Sequence, residues 1–202
     1  MRELAADPAR AGATRTRFHD FVRAMTLVLD GANGDERTIL ERGTRHVRDL
    51  IAHDDWLPLP LATPLAGSYG QYLLYRDPTV RFTVVSFVWD GGARTPIHDH
   101  TVWGIIGVLR GAELAERFTC ERKRLLSHGE VRLEAGEVDR VSPRIGDVHR
   151  VRNAFADRPS ISIHVYGADL CQVERHTFCP DTGKADITIS KPFDNAEPLL
   201  RA

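Results

Sequence analysis

The spacing of apolar residues divides the chain into an amino-terminal helical part and a longer part rich in strands. From Phe18 to Leu29, apolar side chains recur at helical intervals. A glycine-containing break at 31–34 ends this helix, and Asp35 is a suitable N-cap for a second helix that continues to Ile51. Because two short amphipathic helices do not fold alone, we expect them to pack against the rest of the chain.

After Pro64, short segments rich in Val, Ile, Phe and Tyr are separated by turn residues, which predicts strands. No crossover helices lie between them, so we expect antiparallel pairing that closes as a sandwich or barrel. The predicted strands are 71–75, 81–89, 103–110, 112–120, 131–135, 147–153, 161–166, 171–178 and 186–189.

The domain prediction follows from this division. Residues 1–62 form a helical extension whose first 14 residues are expected to be frayed, residues 63–190 form a barrel, and 191–202 form a tail. The three parts are predicted to make one domain, since 202 residues suit a single core.

Composition narrows the possible partners and compartment. The formal net charge is −1 and no long basic run occurs, so we predict neither a nucleic-acid nor a membrane partner. No apolar segment approaches the roughly 20 residues of a membrane span. The three cysteines form no C-x-x-C pair, and we expect reduced thiols in a cytoplasmic protein. Nothing in the pattern indicates an oligomeric state.

The first candidate chemistry lies at His98-Asp-His100. Two histidines one residue apart on an extended segment point to the same side, so both imidazoles could bind one metal ion. With nine histidines in the chain, this pair alone is a weak signal.

Two longer motifs strengthen it. In register with G-x5-H-x-H-x3-E-x6-G are Gly92, His98, His100 and Gly111. In register with the end of G-x5-P-x-G-x2-H-x3-N are Gly146, His149 and Asn153, whereas Pro143 is one residue out of step. The chain therefore resembles the cupin superfamily. That resemblance implies a mainly β fold, a double-stranded β-helix or jelly-roll barrel, with the two short helices packed on it.

The first motif departs from the cupin pattern at Gly104, where most cupins carry glutamate. Three neutral imidazoles would leave the charge of a bound dication uncompensated, which favours an anionic ligand such as a thiolate.

A second signal comes from the predicted strand 161–166. By the alternation of strand side chains, Ser162, His164 and Tyr166 share one face and could form a hydrogen-bond relay. The alternative, from the strand alone, is a polar face that meets water.

Together, residues 65–190 resemble the bacterial thiol dioxygenases of the cysteine dioxygenase family. The resemblance implies Fe(2+) bound by His98, His100 and His149, the Ser162–His164–Tyr166 relay, and oxidation of a small thiol by O2 to its sulfinic acid. Residues 103–105 contain no cysteine, so we expect no cross-link to the active-site tyrosine.

The substrate prediction depends on the residue matching Gln71. In this family, Arg at that position indicates L-cysteine and Gln indicates 3-mercaptopropionate, which we favour. Arg175 would then bind the carboxylate, and Arg76 is the alternative if the register is shifted. L-Cysteine, cysteamine and a non-catalytic, ligand-binding cupin remain alternatives.

Overall fold

A computed structural model describes residues 8–121 and 124–201. The expectation of a frayed start is wrong for residues 8–14, which are helical, and for residues 1–7 it lies outside the described part of the chain. The helices are α1 (Pro8–Ala32) and α2 (Glu36–Ile51), followed by a short 3-10 turn at Leu59–Leu61. The strands are β1 (Tyr69–Arg76), β2 (Thr83–Trp89), β3 (Ile97–His98), β4 (Gly104–Arg110), β5 (Ala112–Glu121), β6 (Arg124–Glu134), β7 (Val138–Val141), β8 (His149–Asn153), β9 (Ser160–Tyr166), β10 (Arg175–Phe178) and β11 (Ala185–Thr188).

The strands form two antiparallel sheets. One has the order β1-β2-β9-β4-β7 and the other β11-β10-β3-β8-β5-β6. Successive strands alternate between the sheets around β3, β4, β8 and β9, which is the winding of a double-stranded β-helix. The predicted fold class, mainly β with two helices on a cupin barrel, is confirmed.

The two helices cover the outer face of the first sheet. Their N-cap prediction is confirmed, because the Asp35 carboxylate accepts a hydrogen bond from the Thr38 backbone N–H at 3.1 Å. Apolar residues of α1 and α2 form one core with the outward residues of β9, namely Ile161, Ile163 and Val165. The outer face of β9 is therefore apolar because helices, not water, lie against it. Within the described ranges, no helix combines the length and apolar character needed to cross a membrane.

Three strand predictions differ from the structure. β6 begins at Arg124, seven residues before its prediction, and its side chains are almost all exposed, so apolar alternation gave no signal there. β7 was not predicted, because it has four residues and one buried side chain. β10 begins at Arg175 because residues 171–174 form a turn.

The edge of β1 is closed by the segment after β11. The Asp194 backbone N–H donates to the Gln71 carbonyl at 2.8 Å, and the Asp194 carboxylate accepts from the Gln71 N–H at 2.7 Å. The Asn195 side chain accepts from the Leu73 N–H at 2.7 Å. Part of the 191–202 segment thus lies along the strand that carries Gln71.

Candidate metal centre and hydrogen-bond relay

Three histidines converge inside the barrel. His98 at the end of β3 pairs directly with His149 at the start of β8, and His100 follows two residues later. Their ring centroids are 4.8 to 5.0 Å apart, and their potential ligand atoms all lie within 4.8 Å of one another. Burial lowers the pKa of His98 to about 4 and the pKa values of His100 and His149 well below the ordinary value. Three neutral nitrogen donors in one buried cluster fit a divalent metal ion.

Neighbouring groups fix which nitrogen of each ring faces the cluster. A carboxylate can only accept, so His100 Nδ1 donates to Asp147 Oδ1 at 2.8 Å. Asp147 Oδ2 also accepts from the His100 and Thr101 backbone N–H groups at 2.9 and 2.8 Å. His98 Nδ1 donates to the Pro96 carbonyl at 3.0 Å. In both histidines Nε2 is left as the metal-binding atom. Sequence reasoning assigned Asp147 no role; its position two residues before His149 was the available signal.

Asp99, between two of the histidines, points away from the cluster and binds β10. Its carboxylate accepts from the His176 backbone N–H at 2.6 Å and from His176 Nδ1 at 2.8 Å. The Asp99 carbonyl accepts from Arg175 Nη1 at 3.2 Å. The alternation of the His98–His100 segment therefore also positions Arg175 beside the histidines.

Gly104 provides space for Tyr166. The two residues are paired across β4 and β9, and a Cβ at Gly104 would lie 3.0 Å from the Tyr166 ring and 2.9 Å from Val141 Cγ2. The missing cupin glutamate and the tyrosine thus occupy mutually exclusive space. Sequence reasoning noted the first feature but did not connect it with the second.

The predicted relay residues form a continuous hydrogen-bonded row. Ser162 Oγ lies 2.7 Å from His164 Nε2, and His164 Nδ1 lies 2.7 Å from Tyr166 Oη. The Tyr166 ring stacks on His100 with centroids 5.1 Å apart, so the row ends at the histidine cluster. Burial lowers the pKa of His164 to about 3 and raises the pKa of Tyr166 far above its ordinary value. The row therefore rests with a neutral imidazole and a neutral phenol.

Aromatic residues of β2 support this row, and sequence reasoning did not identify them. Trp89 Nε1 donates to Ser162 Oγ at 3.1 Å, and the Phe87 ring lies against His164 with centroids 4.3 Å apart. Tyr69 of β1 adds a third ring, 5.1 Å from Trp89. These rings make one wall of the site apolar and rigid.

A cavity of about 260 Å³ opens on the histidines and on Tyr166. Its described lining includes Gln71, Arg175 and Lys191 but no aspartate or glutamate. Lys191 Nζ is paired with Asp194 at 2.8 Å. Arg175 Nε is buried and has no hydrogen-bond partner. The cavity therefore presents an uncompensated cation with a free donor, which favours an anionic ligand.

The two candidate substrate residues meet in this cavity, whereas the alternative one lies outside its lining. Gln71 is buried, 6 % exposed, and points into the cavity from β1. Arg76 instead binds the buried carboxylate of Asp169 at 2.6 Å.

Similar proteins agree with this architecture. A structure from Klebsiella pneumoniae, an uncharacterized conserved protein with a double-stranded β-helix domain, is 16 % identical over 66 % of this chain and 93 % of its own, with a TM-score of 0.44. A cupin-like protein from Thermotoga maritima is 24 % identical over 48 % of this chain and 67 % of its own, with a TM-score of 0.39.

The family comparison covers the sheets that carry the site. The model of cysteine dioxygenase type I matches residues 77–178, which include every histidine of the cluster and the whole relay. This match spans half of the 202 residues. The chain belongs to the cysteine dioxygenase type I family.

Proposed function

We propose that this protein is a non-heme Fe(2+) thiol dioxygenase that converts 3-mercaptopropionate to its sulfinic acid with O2. Family membership supports a dioxygenase that acts on a thiol. The observation that supports a thiol carboxylate is the cavity itself, where the unpaired Arg175 donor lies in an acid-free lining next to the histidine cluster.

His98, His100 and His149 would hold the ferrous ion, with Asp147 orienting His100. When bound, iron supplies the redox chemistry that lets O2 react with the thiolate. The chain contributes placement: the Arg175 charge holds the substrate carboxylate, and Phe87 with its aromatic neighbours excludes water.

Tyr166 contributes a hydroxyl at the point where cavity, histidines and relay meet. Its phenol remains protonated, so it can donate a hydrogen bond to the substrate or accept one from it. A positioned hydrogen bond in a dry site is worth on the order of tenfold or more in rate.

The substrate choice follows from the charges that the cavity lacks. L-Cysteine adds an ammonium group, and none of the described lining residues offers a carboxylate to pair with it. Gln71 adds no second cation to hold a carboxylate at the β1 wall. Cysteamine has no carboxylate, so it would leave Arg175 unpaired. 3-Mercaptopropionate, with a thiol and a carboxylate but no amine, matches this pattern best.

Three thiols test the proposal, because they differ by one group at a time: 3-mercaptopropionate, L-cysteine and cysteamine. O2 uptake and sulfinate formation are measured with Fe(2+)-loaded protein. We expect kcat/KM to be highest for 3-mercaptopropionate. Preference for L-cysteine would refute the substrate, and iron binding without O2 uptake for any thiol would favour the non-catalytic cupin.

Gln71→Arg tests the selecting residue directly. A second cation at the β1 wall should shift the kcat/KM ratio toward L-cysteine by about 1–3 kcal/mol, the scale of one charge-assisted hydrogen bond. Gln172→Arg is the matched control, because it makes the same change at an exposed position. An equal ratio in both variants would remove Gln71 from substrate selection.

A further inference from the structure

Glu113 is a buried carboxyl group that the proposed chemistry does not yet use. It lies on β5, inside the barrel, with 1 % of its surface exposed. One of its oxygens, Oε1, has no hydrogen-bond partner. Burial raises the pKa of Glu113 to about 7, although hydrogen bonds with the Ser162 and Trp89 side chains act in the opposite direction. A buried acid without a cation costs stability that an apolar residue of similar size would not.

The groups around Glu113 offer it no counter-charge. From β9 it meets Ser162, with His164 and Tyr166 further along the row, and from β2 it meets Trp89. Asp139 of β7 acts on it with the same sign of charge and raises its pKa further. On β8 its strand partner is the neutral Asn153.

Glu113 and the relay form one sequence of hydrogen-bonding groups: Glu113, Ser162, His164, Tyr166. Trp89 can only donate to Ser162, so the serine keeps one proton to donate and one lone pair to offer. The neutral imidazole of His164 has one donor and one acceptor nitrogen. These constraints leave two consistent arrangements of protons along the row.

In the first arrangement Glu113 is protonated and donates to Ser162. Ser162 then donates to His164 Nε2, Nδ1–H donates to Tyr166, and the phenol hydrogen is free to point into the cavity. In the second arrangement Glu113 is a carboxylate, and each of these hydrogen bonds is reversed. Tyr166 then donates to His164 and presents a lone pair to the cavity.

We propose that Glu113 is the inner end of the relay, and that its protonation decides whether Tyr166 donates to, or accepts a proton from, the substrate thiol in the cavity. The inference rests on the proposed function, because it assigns the proton that the substrate loses. One proton leaves the thiol sulfur and one arrives at the Glu113 carboxylate. Tyr166, His164 and Ser162 each receive one proton and pass one on, so charge and atoms balance.

Glu113→Gln tests this role as a positioning residue. The amide resembles the protonated acid in shape and can donate to Ser162, but it cannot receive the proton. We expect kcat/KM to fall about tenfold at neutral pH, the scale of one positioned group. The deficit should narrow at alkaline pH, because the substrate thiol then arrives already ionised. A purely structural role would give a deficit that does not change with pH.

Infrared difference spectroscopy supplies a readout that needs no turnover. Between acid and alkaline pH, the wild-type protein should lose a protonated carboxyl C=O band that shifts in D2O, and Glu113→Gln should lack this band. Glu121→Gln, on the same strand but exposed, is the matched control and should keep both the band and the activity.

The outcomes separate this inference from the proposed function. A protein that oxidises no thiol but shows the titrating band retains Glu113 as the buried proton site and refutes the dioxygenase proposal. A wild-type protein without a titrating band, or a Glu113→Gln enzyme with the wild-type pH profile, overturns the role of Glu113 alone. The band is measured on wild-type protein, so the inference stays testable if the variant does not fold.

Discussion

Glu113 also makes a prediction about stability that involves no substrate. Its folded-state pKa of about 7 lies above the ordinary value of 4.5, because burial disfavours the carboxylate. The folded protein therefore binds this proton more tightly than the unfolded chain does. Stability must fall as the pH rises from about 4.5 to about 7, and the penalty is then constant at higher pH.

The size of the effect follows from the shift. A difference of about 2.5 pKa units corresponds to about 3 kcal/mol, at 1.36 kcal/mol for each unit. Glu113→Gln removes this titration. Relative to wild type, the variant should therefore gain about 3 kcal/mol in free energy of unfolding between about pH 4 and about pH 8.

Urea unfolding of both proteins across this pH range measures the difference. Equal metal content in both samples cancels the contribution of metal binding, and Glu121→Gln controls for the loss of an exposed carboxyl. A difference that stays constant with pH would refute the assignment of a raised pKa to Glu113. A difference that narrows as the pH rises would have the wrong sign.

Three further predictions concern the metal and the relay. His149→Ala should lose bound iron, because two imidazoles remain; near-stoichiometric iron after desalting would contradict the three-histidine site. Tyr166→Phe should keep its iron but lose about tenfold in kcat, the scale of one hydrogen bond in a dry site. Full activity would exclude the hydroxyl from the mechanism. Gly104→Ala should displace the Tyr166 ring and lower the unfolding free energy by about 1–3 kcal/mol, measured in urea, with a loss of kcat like that of Tyr166→Phe.

The sequence was most informative where a residue's role depends on local spacing. The H-x-H pair, the period-two row on β9 and the N-cap at Asp35 are each set by a few neighbouring residues. The motif glycine Gly111 also has a local cause, since its φ of 78° lies in the left-handed region. Such features can be recognised without knowing which strands are neighbours.

The features that sequence reasoning missed depend on contacts between distant strands. Glu113 on β5 meets Ser162 of β9, and Gly104 meets the Tyr166 ring, only because the barrel brings these strands together. In the sequence, Glu113 is one of many acidic residues, and nothing near it marks it as buried. β6 was shortened for a different reason, since an exposed strand has no apolar alternation to detect.

The pairing of β1 with the segment after β11 has a consequence for the order of folding. Gln71 and Asp194 are separated by 123 residues, so their mutual hydrogen bonds close a very long loop. Such contacts cost more chain entropy than hairpin contacts and tend to form late. The β5–β6 hairpin, in contrast, joins residues that are near in sequence. We expect the strands of the barrel to assemble first, and the wall that carries Gln71 and Lys191 to be completed last. The substrate-selecting wall would then mature as a step separate from the histidine cluster.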